Sequence, residues 1–161
     1  IYLGSESEPE MLQEASRVVL DAHREGLLAL LWIYPKGKLV KDAMSEEMIA
    51  GAAGVGLSLG ADFVKVYSPK SDSAQKSAEM LKQAVAAAGN TGVLCAGGVK
   101  LEKRVLLEAI HAQVNVAGSS GCAVGRNIFQ RSLKEAVGIC KGINAILHDA
   151  ATVDEALALC G

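Results

Sequence analysis

Lys65 is the residue of this sequence whose type and position say most about chemistry. It lies between Val64 and Val66, in a short apolar run that predicts a β-strand. Burial lowers the pKa of a lysine, and the neutral amine is the form that attacks a carbonyl to make a Schiff base. The alternative is an edge-strand lysine whose methylene stem reaches back to water. The pattern of residue types leaves both interpretations open.

Two aromatic residues end the preceding apolar run. Trp32 and Tyr34 are two residues apart, so their side chains point to the same face of a strand. The phenol of Tyr34 could donate or accept a proton beside an amine that reacts with a carbonyl, and Trp32 could form a wall of that pocket. The alternatives are a tyrosine at the rim with its hydroxyl in water, and a tryptophan in the core.

Two glycine-bearing strand ends, Gly97-Gly98 and Gly125-Arg126, indicate a site for an anion. Such loops expose backbone N–H groups, and arginine adds charge-assisted hydrogen bonds to a phosphate. Glycine pairs also serve ordinary tight turns, which is the alternative. The sequence has neither a phosphate-binding P-loop nor a dinucleotide-binding fingerprint. Its four cysteines are widely spaced, with no histidine at ligand spacing, so we expect no metal and no cofactor.

Strand and helix signals alternate along the 161 residues, which predicts an α/β protein. Helices are predicted to start at capping boxes at Ser7, Ser132 and Thr152. The strands, such as Leu27–Tyr34, are nearly continuous apolar runs, which predicts parallel strands buried on both faces. About five strand–helix units suffice for an open doubly wound sheet, whereas a (β/α)8 barrel needs eight. The pattern does not choose between these two architectures.

Composition excludes several classes of function. A formal net charge of −2 and few aromatic residues argue against a nucleic-acid partner. The longest apolar run is far shorter than the roughly 20 residues that cross a bilayer, and no signal peptide is visible, so we expect no membrane association. Dispersed cysteines are typical of reduced thiols, so we expect a cytoplasmic location. Because Ile1 already lies in a predicted strand, we expect further residues to precede it.

Five segments, at residues 1–5, 31–37, 60–66, 96–98 and 124–130, occur in an order and spacing that resemble the archaeal-type class I fructose-bisphosphate aldolases. The resemblance is to the C-terminal part of that family. It implies a single domain over residues 1–161 that forms about strands 4 to 8 of a (β/α)8 TIM barrel, with the N-terminal βα units missing. It also implies Lys65 as the Schiff-base lysine and Tyr34 as the proton-transfer residue.

The resemblance implies a lyase of glycolysis or gluconeogenesis. Such an enzyme cleaves fructose 1,6-bisphosphate to dihydroxyacetone phosphate and glyceraldehyde 3-phosphate, or runs in reverse, without a cofactor. The implied substrate-binding residues are Trp32, Lys36, Gly97, Gly98, Gly125 and Arg126, with Lys36 suited to a second phosphate. The expected partners are a phosphorylated sugar and other copies of the chain in a homo-oligomer. The alternatives are a Schiff-base transaldolase-like synthase or thiolase on another phosphorylated sugar, and a catalytically silent subunit that binds a phosphate ligand.

Overall fold

The computed structural model describes residues 1–161 and confirms the alternation of strands and helices. The strands are β1 (Tyr2–Leu3), β2 (Leu30–Trp32), β3 (Tyr34–Pro35), β4 (Phe63–Val66), β5 (Gly92–Ala96) and β6 (Gly121–Ala123). The helices are α1 (Glu8–Arg24), α2 (Glu46–Ser58), α3 (Ala74–Ala87), α4 (Lys103–Asn115), α5 (Gly125–Phe129), α6 (Leu133–His148) and α7 (Val153–Ala158). None of the helices combines the length and the apolar character needed to cross a lipid bilayer.

The single strand predicted over Leu27–Tyr34 is in fact two short strands. The chain changes hydrogen-bonding partners at Ile33, whose N–H donates to the carbonyl of Lys65 at 3.1 Å. The next N–H, of Tyr34, donates to the carbonyl of Ile1 at 3.0 Å. β2 therefore pairs with β4, and β3 pairs with β1. A continuous apolar run cannot reveal this change, because both strands keep the same side-chain alternation.

The order of the strands favours a barrel over an open doubly wound sheet. All pairs are parallel, and the ladders run β1-β3 and β2-β4-β5-β6. β2 and β3 follow each other directly in the chain, so they join the two ladders into one. The order in space is then β1, the β2–β3 segment, β4, β5 and β6, which is also the order along the chain. A doubly wound sheet reverses its order at a switch point, whereas a βα barrel adds each strand beside the previous one. The observed order has no such reversal.

The two faces of the sheet differ in burial within residues 1–161, whereas the apolar runs predict strands buried on both faces. The side chains of Val64 and Val66 are fully buried and pack with α2 and α3 in the larger apolar cluster. On the opposite face Lys65 is half-buried, and Trp32 is 57% exposed. No helix covers this second face. An apolar residue such as Leu94 looks the same in sequence whichever face it occupies, so the apolar runs do not show which face the helices of residues 1–161 cover.

Side-chain caps fix the starts of four helices. They are Ser45, Ser73, Ser132 and Thr152, each accepting a hydrogen bond from a backbone N–H of the first turn. The capping boxes predicted at Ser132 and Thr152 are both present. The one predicted at Ser7 is absent, because the Ser7 side chain makes no cap hydrogen bond. The carboxylate of Glu8 instead accepts from the N–H of Gly4, which joins the start of α1 to the end of β1.

Candidate active site

A cleft of about 410 Å³ lies at the carboxyl ends of the strands, on the face that no helix covers. It is lined by Trp32, Tyr34, Lys65, Tyr67, Ala96, Gly97, Gly98, Ala123, Gly125, Arg126 and Phe129. Seven of the eight residues singled out from the sequence are in this set, and Lys36 is the exception. The strand ends of four separate βα units thus meet around one cavity.

Lys65 is held in the interior of the sheet and not at its edge. β4 pairs with β2 on one side and with β5 on the other, which argues against the edge-strand interpretation of this lysine. Trp32 is the register partner of Lys65 across β2 and β4. The Lys65 Nζ lies 3.6 Å from the centroid of the Trp32 ring, within cation–π distance. Burial lowers the pKa of Lys65 and so favours its neutral form.

Tyr34 is packed against a second tyrosine that the sequence analysis did not single out. The rings of Tyr34 and Tyr67 are stacked, with centroids 4.4 Å apart. Burial, followed by the neighbouring phenols of Tyr67 and Tyr2, raises the pKa of Tyr34. Tyr34 is therefore a phenol at neutral pH and has a proton to donate. The sequence could have indicated Tyr67, because a residue two positions after Lys65 in an extended chain points to the same face as Lys65.

The glycine loops at the ends of β5 and β6 are in direct contact. The N–H of Gly97 donates to the carbonyl of Ala123 at 3.0 Å. A Cβ at position 97 would lie 2.6 Å from the Cα of Val124, so only glycine fits there. Gly98 has a φ of +61°, a left-handed conformation that favours glycine. The backbone of this loop therefore lies directly along the wall of the cleft.

The charged side chains that line the cleft are Lys65 and Arg126, and the lining contains no carboxylate. Neither of the two cations forms an ion pair with an acidic side chain of the chain. A cleft with two basic side chains and no carboxylate is suited to an anionic ligand. No group of three or more histidine, cysteine, aspartate or glutamate side chains is arranged to hold a metal ion.

Lys36 lies outside the cleft, which differs from the placement expected from the sequence. β3 ends at Pro35, and the chain bends at Gly37 before it turns away from the sheet. The backbone N–H of Lys36 donates to the carbonyl of Leu3 at 3.0 Å, and its side chain is exposed. Lys36 therefore lies just beyond the end of β3 and is not among the residues that line the cavity.

Residues 1–131 match the protein family described as "DeoC/LacD family aldolase". A Methanocaldococcus jannaschii protein named "Fructose-bisphosphate aldolase/6-deoxy-5-ketofructose 1-phosphate synthase" is 52% identical over 157 residues, which cover 98% of this chain and 50% of that protein. A "Fructose-bisphosphate aldolase class 1" of Halobacterium salinarum is 38% identical over 157 residues, covering 98% of this chain and 56% of that protein.

Solved structures agree with these sequence matches. A fructose-bisphosphate aldolase from Slackia heliotrinireducens superposes with a TM-score of 0.94 at 53% identity, covering 99% of this chain and 51% of that one. A structure described as a Schiff-base-forming fructose-1,6-bisphosphate aldolase gives a TM-score of 0.80 at 32% identity, covering 92% of this chain and 56% of that one. The chain spans about half the length of these relatives. The chain belongs to the DeoC/LacD family of aldolases.

Proposed function

We propose that the protein is a class I aldolase in which Lys65 forms a Schiff base with a phosphorylated ketose. The proposed reaction interconverts fructose 1,6-bisphosphate with dihydroxyacetone phosphate and glyceraldehyde 3-phosphate. The observation that carries the proposal is the meeting of an amine, a phenol and an unpaired guanidinium in one cleft that has no carboxylate. The names of the relatives support the same reaction.

Lys65 is the proposed nucleophile because burial lowers its pKa and so increases the fraction of neutral amine. Its Nζ adds to the ketone carbon, and a proton moves from nitrogen to oxygen to give a carbinolamine. Loss of the hydroxyl as water leaves a cationic iminium. The iminium then takes up the electron pair of the breaking C–C bond, which releases the aldehyde and leaves an enamine. Protonation of the enamine carbon and hydrolysis return the ketose fragment and the free lysine.

Tyr34 is the proposed proton-transfer residue. Its pKa is raised, so it enters the reaction as a phenol and donates a proton to the departing carbinolamine hydroxyl. The phenolate that remains is a strong base for the same reason. It takes the proton from the hydroxyl of the carbon that becomes the aldehyde, and this restores the phenol. Stacking on Tyr67 holds the ring in place for both transfers.

Arg126 and the Gly97-Gly98 and Gly125 loops are the proposed phosphate site. The Arg126 guanidinium lines the cleft without an acidic partner and is free to form charge-assisted hydrogen bonds. The backbone of the glycine loops brings further N–H groups to the same wall. Trp32 forms the wall nearest the amine. Lys36 is omitted from the proposed site, because it is exposed outside the cleft.

The same proposal includes a larger barrel, of which residues 1–161 form about strands 4 to 8. The uncovered face supports this, because Leu30 and Trp32 expose 42% and 57% of their surface on it. Both outer strands, β1 and β6, also present an unpaired edge. Three further βα units would pair with both edges and cover this face. We further propose that the complete protein assembles as a homo-oligomer.

A second candidate reaction is formation of 6-deoxy-5-ketofructose 1-phosphate, because the name of the Methanocaldococcus jannaschii relative includes that synthase. It would use the same Lys65 enamine of dihydroxyacetone phosphate, which would add to the aldehyde of 2-oxopropanal instead of glyceraldehyde 3-phosphate. Assays of the purified protein with dihydroxyacetone phosphate and each of the two aldehydes as acceptor separate the candidates by their kcat/KM ratio.

Reductive trapping tests the proposal. The full-length protein is incubated with dihydroxyacetone phosphate and borohydride, and the labelled peptide is identified by mass. We expect the label on Lys65, and none in a Lys65→Met variant. Lys36→Met is the matched control, since this exposed lysine lies outside the cleft, and it should trap as the natural protein does. Label on another lysine, or none on a folded protein, would reject the proposal.

A further inference from the structure

Asn127 is a buried polar residue next to the proposed phosphate-binding Arg126. Its side chain has no exposed surface, and it lies in α5, immediately after the β6 loop. The Asn127 Nδ2 donates to the carbonyl of Gly97 at 2.8 Å and to the carbonyl of Val99 at 3.0 Å. Its Oδ1 accepts from the N–H of Leu101 at 2.8 Å. One side chain therefore fixes three alternate residues of the loop that follows β5.

These hydrogen bonds determine where an N–H group of the loop points. In a planar trans peptide the C=O and the following N–H point in opposite directions, and the chain contains no cis peptide bond. Because the carbonyl of Gly97 is directed at Asn127, the N–H of Gly98 points away from Asn127. The Gly98 N–H has no acceptor within the protein, and Gly98 lines the cleft. It is thus an unused donor, directed away from Asn127, in the lining that also contains Arg126.

Two further side chains tie the same two segments together. Arg131 Nε donates to the carbonyl of Asn127 at 2.8 Å, and the Arg131 guanidinium also donates to the carbonyl of Leu101. Lys100 Nζ donates to the carbonyl of Gln130 at 2.9 Å. Each of the two segments, the loop after β5 and the segment after β6, therefore donates hydrogen bonds to the other. Asn127 is the part of this hydrogen-bonded cross-link that is adjacent in sequence to Arg126.

We propose that Asn127 is a positioning residue that aims the Gly98 N–H and the Arg126 guanidinium at one substrate phosphate. The inference rests on the proposed function, because it assigns the device that orients the proposed phosphate site. Asn127 itself is buried and its side chain hydrogen-bonds only to backbone groups, so it acts through the loop that contains Gly98 and not by touching the substrate. Two loops that are held in one arrangement bind an anion without a cost in loop ordering.

Asn127→Asp is the sharpest test, because the new side chain has the same shape but loses both N–H donors. Its carboxylate would face the carbonyls of Gly97 and Val99, which repel it. We expect the KM for dihydroxyacetone phosphate to rise about 10- to 100-fold at mildly alkaline pH, with kcat little changed. Acidification should partly reverse the defect, because the protonated carboxyl regains one donor. Trapping of unphosphorylated dihydroxyacetone by Lys65 should be unaffected.

Asn115→Asp is the matched control, since Asn115 is an exposed asparagine whose amide donates only to its own helix at the carbonyl of His111. It should leave every parameter unchanged. If Asn127→Asp does not fold, Arg131→Met removes the outer hydrogen bonds of the same cross-link and should raise the same KM by a smaller factor. Equal losses with phosphorylated and unphosphorylated substrates, or an unchanged KM, would overturn the inference.

Calorimetric titration with inorganic phosphate separates this inference from the proposed function. Phosphate binding that weakens in Asn127→Asp, in a protein that forms no borohydride adduct, would support the positioning role and reject the aldolase reaction. A borohydride adduct on Lys65, together with phosphate binding that is unchanged in Asn127→Asp, would support the aldolase reaction and reject the positioning role.

Discussion

Gly97→Ala should destabilise the protein, because the new methyl group has no room. Its Cβ would lie 2.6 Å from the Cα and 2.8 Å from the Cγ1 of Val124. Carbon atoms in contact are about 3.5–4.0 Å apart, so the two strand ends must separate by about 1 Å. The Val124 Cα is backbone and cannot rotate away. The same shift would stretch the hydrogen bond from the Gly97 N–H to the Ala123 carbonyl, now 3.0 Å, beyond hydrogen-bonding range.

The size of the effect follows from these two contacts. Loss of the hydrogen bond lowers the free energy of unfolding by about 1 kcal/mol. Overpacking costs about 1–3 kcal/mol. The sum is about 2–4 kcal/mol, which corresponds to a fall in Tm of roughly 5–15 °C for a chain of this size. The displaced loop should also raise the KM for a phosphorylated substrate.

Gly51→Ala is the matched control for this measurement. Gly51 is exposed in α2, and a Cβ there would meet nothing within 4 Å. Alanine should increase the free energy of unfolding by up to about 1 kcal/mol, because it favours the helix more than glycine does. Both variants are compared with the natural protein by thermal and denaturant unfolding. If Gly97→Ala unfolds at the same temperature as the natural protein, the steric reasoning is refuted.

Arg126→Ala should raise the KM for phosphorylated substrates about 10- to 100-fold with kcat nearly constant. Parallel assays with unphosphorylated analogues check this prediction, and an equal effect on both substrate classes would contradict it. Tyr34→Phe should lower kcat by about 10²- to 10⁴-fold while borohydride still labels Lys65, and full turnover would exclude proton transfer by the phenol. The pKa of Asp62 is lowered chiefly by the hydrogen bond from the Ala29 N–H, so its carboxylate stabilises the fold above its unfolded pKa. That stability is lost as the pH falls through the folded pKa, and Asp62→Asn should flatten the acid limb of a Tm-against-pH curve.

Much of the candidate site could be predicted because it depends on short-range rules. Trp32 and Tyr34 share a face by the two-residue alternation of a strand, and both line the cleft. Parallel strands bring their carboxyl ends to one edge, so Lys65 and the glycine loops were expected to converge. The helix caps at Ser132 and Thr152 could also be predicted, because each depends on a glutamate only three residues further along the chain.

What could not be predicted depends on partners far away in sequence. Asn127 contacts backbone about 30 residues away, and nothing in its immediate neighbours indicates this. The uncovered face of the sheet was missed for a related reason, since an apolar run does not say which face a helix covers. The backbone N–H groups of Lys36 and Gly37 both donate to the carbonyl of Leu3, far earlier in the chain, as an extension of the pairing of β1 with β3. Long-range contacts of this kind have no local sequence signal.

The contact between Trp32 and Lys65 also gives the chain a built-in optical reporter. Residues 1–161 contain one tryptophan, Trp32. The centroid of its indole ring lies 3.6 Å from the Lys65 Nζ. Emission from an indole changes with the charge and polarity of its immediate surroundings. Conversion of the ammonium to a neutral amine, and of the amine to an iminium, would each alter the fluorescence of this ring. If Lys65 reacts with a ketose as proposed, the reaction should therefore change the Trp32 emission and can be followed in a stopped-flow fluorimeter without attaching a dye.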